Sequence, residues 1–239
     1  MTSQLPPFVI AIDGPSGSGK SSVSRAVATQ LGAGYLDTGA MYRALTWWCS
    51  SRGVDLQDPD AVTRAALDLS LEMGDDPTTP TVSVDGTDVA QVIRSSEISA
   101  LVSSVATVPQ VRTELQRRQR ELIDTIAARR GACVAEGRDI TTVVAPDAPV
   151  RILLTASEDA RLRRRSLEVH GSSDSAAIDA TRDQVLRRDR DDSTVSQFTV
   201  AADGVVVVDT SDLDFAGSVD AVMAVVIATP GCDNGREPQ

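Results

Sequence analysis

Apolar residues fall into two kinds of run along this chain. Residues 8–13 (FVIAID) are a short apolar stretch that breaks at Gly14, and from Lys20 the spacing becomes helical, through Val23, Ala26, Val27 and Leu31. The order is strand, loop, helix. Further apolar runs occupy 132–136 (ACVAE), 150–155 (VRILLT) and 204–209 (GVVVVD). They do not alternate, so they predict strands buried on both faces, as in a parallel sheet covered by helices. Long helices are predicted over 109–130 and 157–169, which carry most of the arginines. Residues 70–90 differ: LSLEM and TVSVDG alternate with a period of two, with DDPTTP and DG as turns, and predict a small antiparallel insertion. The prediction is an α/β three-layer fold with a central parallel sheet. Its core spans 1–60 and 100–228 and is interrupted by an insertion at 61–99. From Thr229 to the end periodic apolar positions cease, and disorder is expected.

The 239 residues, 41% hydrophobic, suffice for one principal domain. No run of ~18 apolar residues occurs, and MTSQLPP lacks the basic start and apolar stretch of a secretory signal, so a cytosolic chain is expected. Three cysteines, Cys49, Cys133 and Cys232, are an odd number without metal-ligand spacing and predict reduced thiols. A net charge of −11 speaks against general binding to nucleic acid or membranes, both of them anionic. Cationic capacity is local: residues 101–200 hold 16 of the 23 basic side chains against 15 acidic ones. All the basic residues are arginine except Lys20.

That lysine lies in Gly14-Pro15-Ser16-Gly17-Ser18-Gly19-Lys20-Ser21, a match to G-x-x-x-x-G-K-[ST] placed after a strand and before a helix. Glycines let the backbone turn its N–H groups toward anionic oxygens, and the following helix directs its positive end at the same point. Lys20 is expected to reach the β- and γ-phosphates of ATP, with Ser21 a ligand of Mg²⁺. A compact ammonium fits inside such a ring of amides, whereas a planar guanidinium is too broad. The chain has no Asn before Asn234 and no Lys after Lys20, which excludes the base-reading Asn-Lys-x-Asp element of a GTPase.

A second anion is suggested by Arg161, Arg164 and Arg165 on one helical face and by Arg187, Arg188 and Arg190. Phosphoryl transfer spreads charge over three oxygens and is served by positioned cations; an Arg-rich face is also what a solvated, salt-bridged surface looks like. Glu136-Gly137-Arg138-Asp139 follows a strand and reads as part of a ligand crevice or as an ordinary turn. Asp13 and Glu136 suit either water-mediated support of Mg²⁺ or a cap. His170, beside Gly171, reads as a helix C-terminal dipole partner, and Trp47, Trp48 and Cys133 as packing. These residues leave open a kinase for another small acceptor, such as AMP, UMP or a hydroxylated metabolite, and a nucleotide-binding regulatory module.

From about residue 8 to residue 226 the chain resembles the bacterial cytidylate kinase family, through IDGPSGSGKSS, LDTGAMYRAL, VRTELQRRQR, EGRDITTVV-PDAPV, RRDRDDS and AADGVVVVDTSDL in that order. The resemblance implies a monomeric enzyme that moves phosphate from ATP to CMP or dCMP with Mg²⁺, using a CMP-binding insertion and a short mobile lid, placed here near 157–175. ATP contacts are implied for Gly14 to Ser22, including Ser22. Thr38, Arg43, Arg138 and Arg188 look like the grip on the CMP phosphate, Ser103, Arg112 and Asp139 like the cytosine readers, and Asp192 like the sugar contact. Arg161, Arg165 and Arg188 are the candidates for stabilising charge in flight. Two departures stand out: Val195 occupies a position where the family pattern has Arg, with Arg190 a candidate substitute, and VSQFTV replaces the usual R-x-x-x-PL.

Overall fold

A computed structural model describes residues 7–230. In chain order, β1 (Phe8–Asp13), α1 (Lys20–Leu31), β2 (Gly34–Asp37) and α2 (Thr38–Ser51) come first. Next are α3 (Pro59–Asp68), three short strands β3 (Leu71–Met73), β4 (Val82–Val84) and β5 (Thr87–Asp88), then α4 (Ser96–Ala106) and α5 (Pro109–Arg130). The chain continues through β6 (Ala132–Gly137), β7 (Val150–Thr155), α6 (Glu158–His170), α7 (Ser175–Ser193), β8 (Val206–Asp209) and α8 (Phe215–Ala228). Five strands form one parallel sheet in the order β2-β6-β1-β7-β8. No helix among the described residues is long and apolar enough to cross a membrane.

Side-chain size decides which helix lies on which face. β1 and β6 send Ile10, Ile12 and Val134 toward α1 and α8, where Val23, Val27, Val219 and Val222 meet them. The opposite face shows the smaller Ala11, Cys133 and Ala135, and Ile123, Ile126 and Ala127 of α5 fill the space above them. A separate core joins α2, α3, α4 and α5 to the antiparallel sheet β3-β4-β5, with Trp47 and Trp48 packed half-buried against it. The β4–β5 turn is Asp85-Gly86, both residues at positive φ (50° and 75°), as a tight hairpin requires.

Three features differ from the periodicity reading. β2 is a strand of four residues, too short to leave a pattern, and it is wholly buried although it stands at one edge of the sheet beside β6. β8 is an edge strand and leaves Val206 and Val207 exposed, because a helix covers only one of its sides. The second arginine cluster lies on a 19-residue helix, α7, which packs against α6 as a helical hairpin. The expected disordered tail lies, from residue 231 on, outside the described residues. In the sheet register Asp13 faces Gly137 and Asp37 faces Glu136. The carboxyl ends of β1, β2 and β6 therefore meet at one rim, where open parallel sheets place their ligands.

Candidate active site

At that rim the loop from Gly14 to Gly19 delivers the chain into α1. Gly17 and Gly19 lie at φ 76° and 87°, and a Cβ on Gly17 would stand 2.5 Å from the Arg161 carbonyl oxygen, so glycine is required for both conformation and space. α1 starts at Lys20 with no side-chain cap, whereas α2, α3, α4, α6, α7 and α8 are each capped by an Asp or Ser side chain. The first-turn amides of α1 are thus left for an anion. Lys20 reaches back only to the Pro15 carbonyl, at 3.5 Å. Burial, and after it the Arg138 and Arg188 charges, push its ammonium down to about 8.

One cavity is lined by Ser16, Gly17, Gly19, Lys20, Ser21 and Ser22 from the loop side and by Arg43, Arg94, Arg138, Arg165 and Arg188 from the other. Three carboxylates share it: Asp37, Glu136 and Glu168, the last paired with Arg165 at 2.9 Å. Asp37 caps α2 through the Ala40 amide (2.8 Å) and pairs with Arg43 (2.8 Å) and Arg94 (3.1 Å). Burial raises its carboxyl, and the two guanidiniums outweigh that and hold it below the ordinary range. Glu136 accepts from the Tyr35 hydroxyl at 2.7 Å; burial, then Asp37, push its carboxyl up against the pull of Lys20. Asp13 instead accepts from the Ile140 and Thr141 amides and the Thr141 hydroxyl, and so fixes the turn after β6.

A second cavity shares Gly39, Gly137, Arg138 and Arg188 with the first. Its wall adds Thr38, Tyr42, Val102, Arg112, Asp139 and Asp192. Arg112 and Gln116 both donate to Oδ2 of Asp139, at 2.6 and 2.7 Å. Asp192 pairs with Arg138 at 3.0 Å and with Arg188 at 3.7 Å. Ser103 is the one proposed base reader outside this wall; it lines a neighbouring hollow with Ser104, Thr107 and Asp191. Arg164 turns instead to the Ser18, Thr210 and Leu213 carbonyls, and Arg187 and Arg190 are exposed and line neither cavity.

The family model described as cytidylate kinase matches residues 10–228. A cytidylate kinase from Streptomyces avermitilis is 48% identical over 223 residues, 93% of this chain and 94% of that relative. Those from Streptomyces griseus and Cutibacterium acnes are each 47% identical, over 91% and 93% of this chain and 92% and 97% of theirs. The chain belongs to the cytidylate kinase family.

Within a cytidylate kinase frame, the departure at 195–200 has a structural counterpart. Phe198 is 1% exposed, and the Arg138 guanidinium lies over its ring, 4.2 Å from the centroid. The aromatic face supports a cation that sequence reading placed at the acceptor phosphate. Phe198→Ala is expected to cost about 3–5 kcal/mol of stability, read by denaturant unfolding, and to raise KM for CMP. Phe198→Leu keeps most of the volume and should restore stability more fully than KM. Equal recovery of both would show that the ring only fills space. Sequence reading did not single out Phe198, Arg94, Tyr42 or Asp189: Tyr42, Asp189 and Phe198 stand inside LDTGAMYRAL, RRDRDDS and VSQFTV with no spacing that marks them, and Arg94, outside every quoted segment, meets Asp37 at the end of β2 only in the folded chain.

Proposed function

We infer that this protein transfers the γ-phosphoryl group of ATP to CMP or dCMP, giving ADP and CDP or dCDP. The observation that carries the reading is the shared wall. A glycine loop with an uncapped helix start and a cavity holding a paired carboxylate and arginine meet across Arg138 and Arg188. Two anions bound there face each other, with arginines between them to stabilise the charge of a transferring phosphoryl group. Lys20 and the α1 amides serve the donor. Thr38, Arg43, Arg138 and Arg188 serve the acceptor phosphate, Arg112 and Asp139 the base, and Asp192 the sugar. The α6–α7 hairpin acts as the lid, and its closure keeps water from the γ-phosphoryl group.

The oxygen-rich neighbourhood of Ser21, with the Glu136 and Asp37 carboxylates in the same cavity, suits Mg²⁺. Among the described residues no group of three His, Cys, Asp or Glu that could hold a metal ion stands together. A bound Mg²⁺ would be held by the Ser21 hydroxyl with the Glu136 and Asp37 carboxylates nearby, and would offset the negative charge of the phosphates. We read the protein further as a cytosolic monomer acting on free nucleotides, to which its net charge of −11 is better suited than to phosphate polymers.

A coupled assay of ADP release over CMP, dCMP, UMP and AMP tests the assignment. Release is expected to depend on the acceptor and to be fastest with CMP or dCMP. Equal rates with and without an acceptor would replace the kinase reading by an ATPase.

A further inference from the structure

Asp189, on α7 beside Arg188, is 9% exposed and joins three separate parts of the site. Oδ1 accepts from the Ser16 backbone N–H at 3.0 Å and pairs with Arg138 at 3.0 Å. Oδ2 pairs with Arg161 of α6, whose Nη1 also donates to the Ser16 carbonyl at 3.0 Å. One carboxylate therefore touches the phosphate loop, the end of β6 and the lid hairpin. Its partners, a loop amide and two guanidiniums, are the kind of donor set that holds a phosphoryl group.

The arginines around it are unequally engaged. Arg138 spends its remaining nitrogens on the Gly14 carbonyl and on Asp192, both at 3.0 Å. Arg188 keeps a buried Nε without a hydrogen bond, and burial followed by the Arg138 charge pushes it down to about 10. Arg188, whose carboxylate contact is Asp192 at 3.7 Å, is thus poised for a new anion, whereas Asp189 and Asp192 already hold Arg138 and Asp189 holds Arg161.

We propose that Asp189 is a positioning residue for phosphoryl transfer, an internal anion that holds Arg138 and Arg161 across the Ser16 amide until the acceptor's phosphate competes for Arg138. This rests on the kinase reading above. Arrival of the acceptor loosens Arg138 from Asp189, while Arg161 stays anchored to the loop through Nη1 and turns its other N–H groups to the transferring group. The carboxylate thereby links occupation of the acceptor cavity to the arrangement of the donor side.

The test uses Asp189→Asn, isosteric but uncharged, with two readouts. At saturating ATP and CMP, kcat is expected to fall about 30-fold or more. Sulfate, titrated calorimetrically with ADP held saturating so that the loop's own anion site is filled, is expected to bind about tenfold more tightly than to the unaltered protein, because Arg161 has lost its carboxylate partner and Arg138 one of its two. A merely structural residue would lower the melting temperature without raising sulfate affinity, so unchanged sulfate affinity in the folded variant overturns the proposal. Should the Asn protein not fold, Asp189→Glu is decisive: the displaced charge should cost kcat about tenfold while sulfate affinity stays within about twofold, and an unchanged kcat overturns the idea. The titration needs no turnover. If the unaltered protein makes no CDP, the kinase reading fails, and the sulfate result still decides whether Asp189 holds the arginines.

Discussion

Lys20→Ala is expected to lower CDP formation by about two to three orders of magnitude while the fold stays intact, as measured by steady-state turnover and circular dichroism. Lys20 is the first residue of α1, lines the cavity that Arg138 and Arg188 enter, and makes only one long contact, to the Pro15 carbonyl. Its removal breaks no strong buried pair, since Asp37 keeps Arg43 and Arg94 and Glu136 keeps the Tyr35 hydroxyl. What is lost is a cation aimed at the phosphates. The same ammonium predicts a pH dependence. It is pushed down to about 8 in the empty site, so it is charged below that pH and neutral above it. Since kcat/KM reports groups of the free enzyme, kcat/KM for ATP should fall as pH rises through about 8. A flat profile from about pH 7 to about pH 9.5, or full activity in the Ala variant, would remove Lys20 from the donor site.

Asp139→Asn is expected to reduce the preference for CMP over UMP, as a ratio of kcat/KM values, by about a hundredfold or more. Asp139 is 4% exposed, and both its counter-charge Arg112 and the Gln116 amide donate to Oδ2. Asp139 lines the second cavity and the donors it holds leave Oδ1 free to accept, which matches an exocyclic amino group and opposes a carbonyl. An amide offers a donor there and reverses that preference. Truncation to Ala would instead leave Arg112 buried without its counter-charge and confuse specificity with misfolding. KM for ATP should move by less than about threefold, because Asp139 lies on the acceptor side. An unchanged CMP:UMP ratio in a folded Asn variant would show that the base is read elsewhere.

The donor half of the site is legible in the chain because it is local. Strand, glycine loop, lysine and helix are consecutive, and backbone geometry alone turns Gly17 and Gly19 into an anion cradle. The parallel sheet was legible for the same kind of reason: strands covered on both faces leave continuous apolar runs, as β1, β6 and β7 do. β8 has such a run but ends at the sheet edge, since a run of valines records β propensity and says nothing about how many sides are covered.

The acceptor half depends on residues up to about 150 positions apart in sequence, and motif resemblance suggested most of them without their geometry. Only the tertiary structure separates Arg188, which enters both cavities, from Arg187 and Arg190, which face solvent; on paper the three are one charged cluster. The same holds for Arg161, Arg164 and Arg165, which share a helical face yet go to Asp189, to three main-chain carbonyls, and to Glu168 and the first cavity. Asp189, Tyr42 and Phe198 lie inside quoted segments, yet nothing in RRDRDDS, LDTGAMYRAL or VSQFTV marks them out from their neighbours. Local chemistry fixes what a loop can hold, because its donors are neighbours along the backbone. Which carboxylate neutralises which guanidinium depends on distances that exist only once α6 and α7 have packed over the sheet.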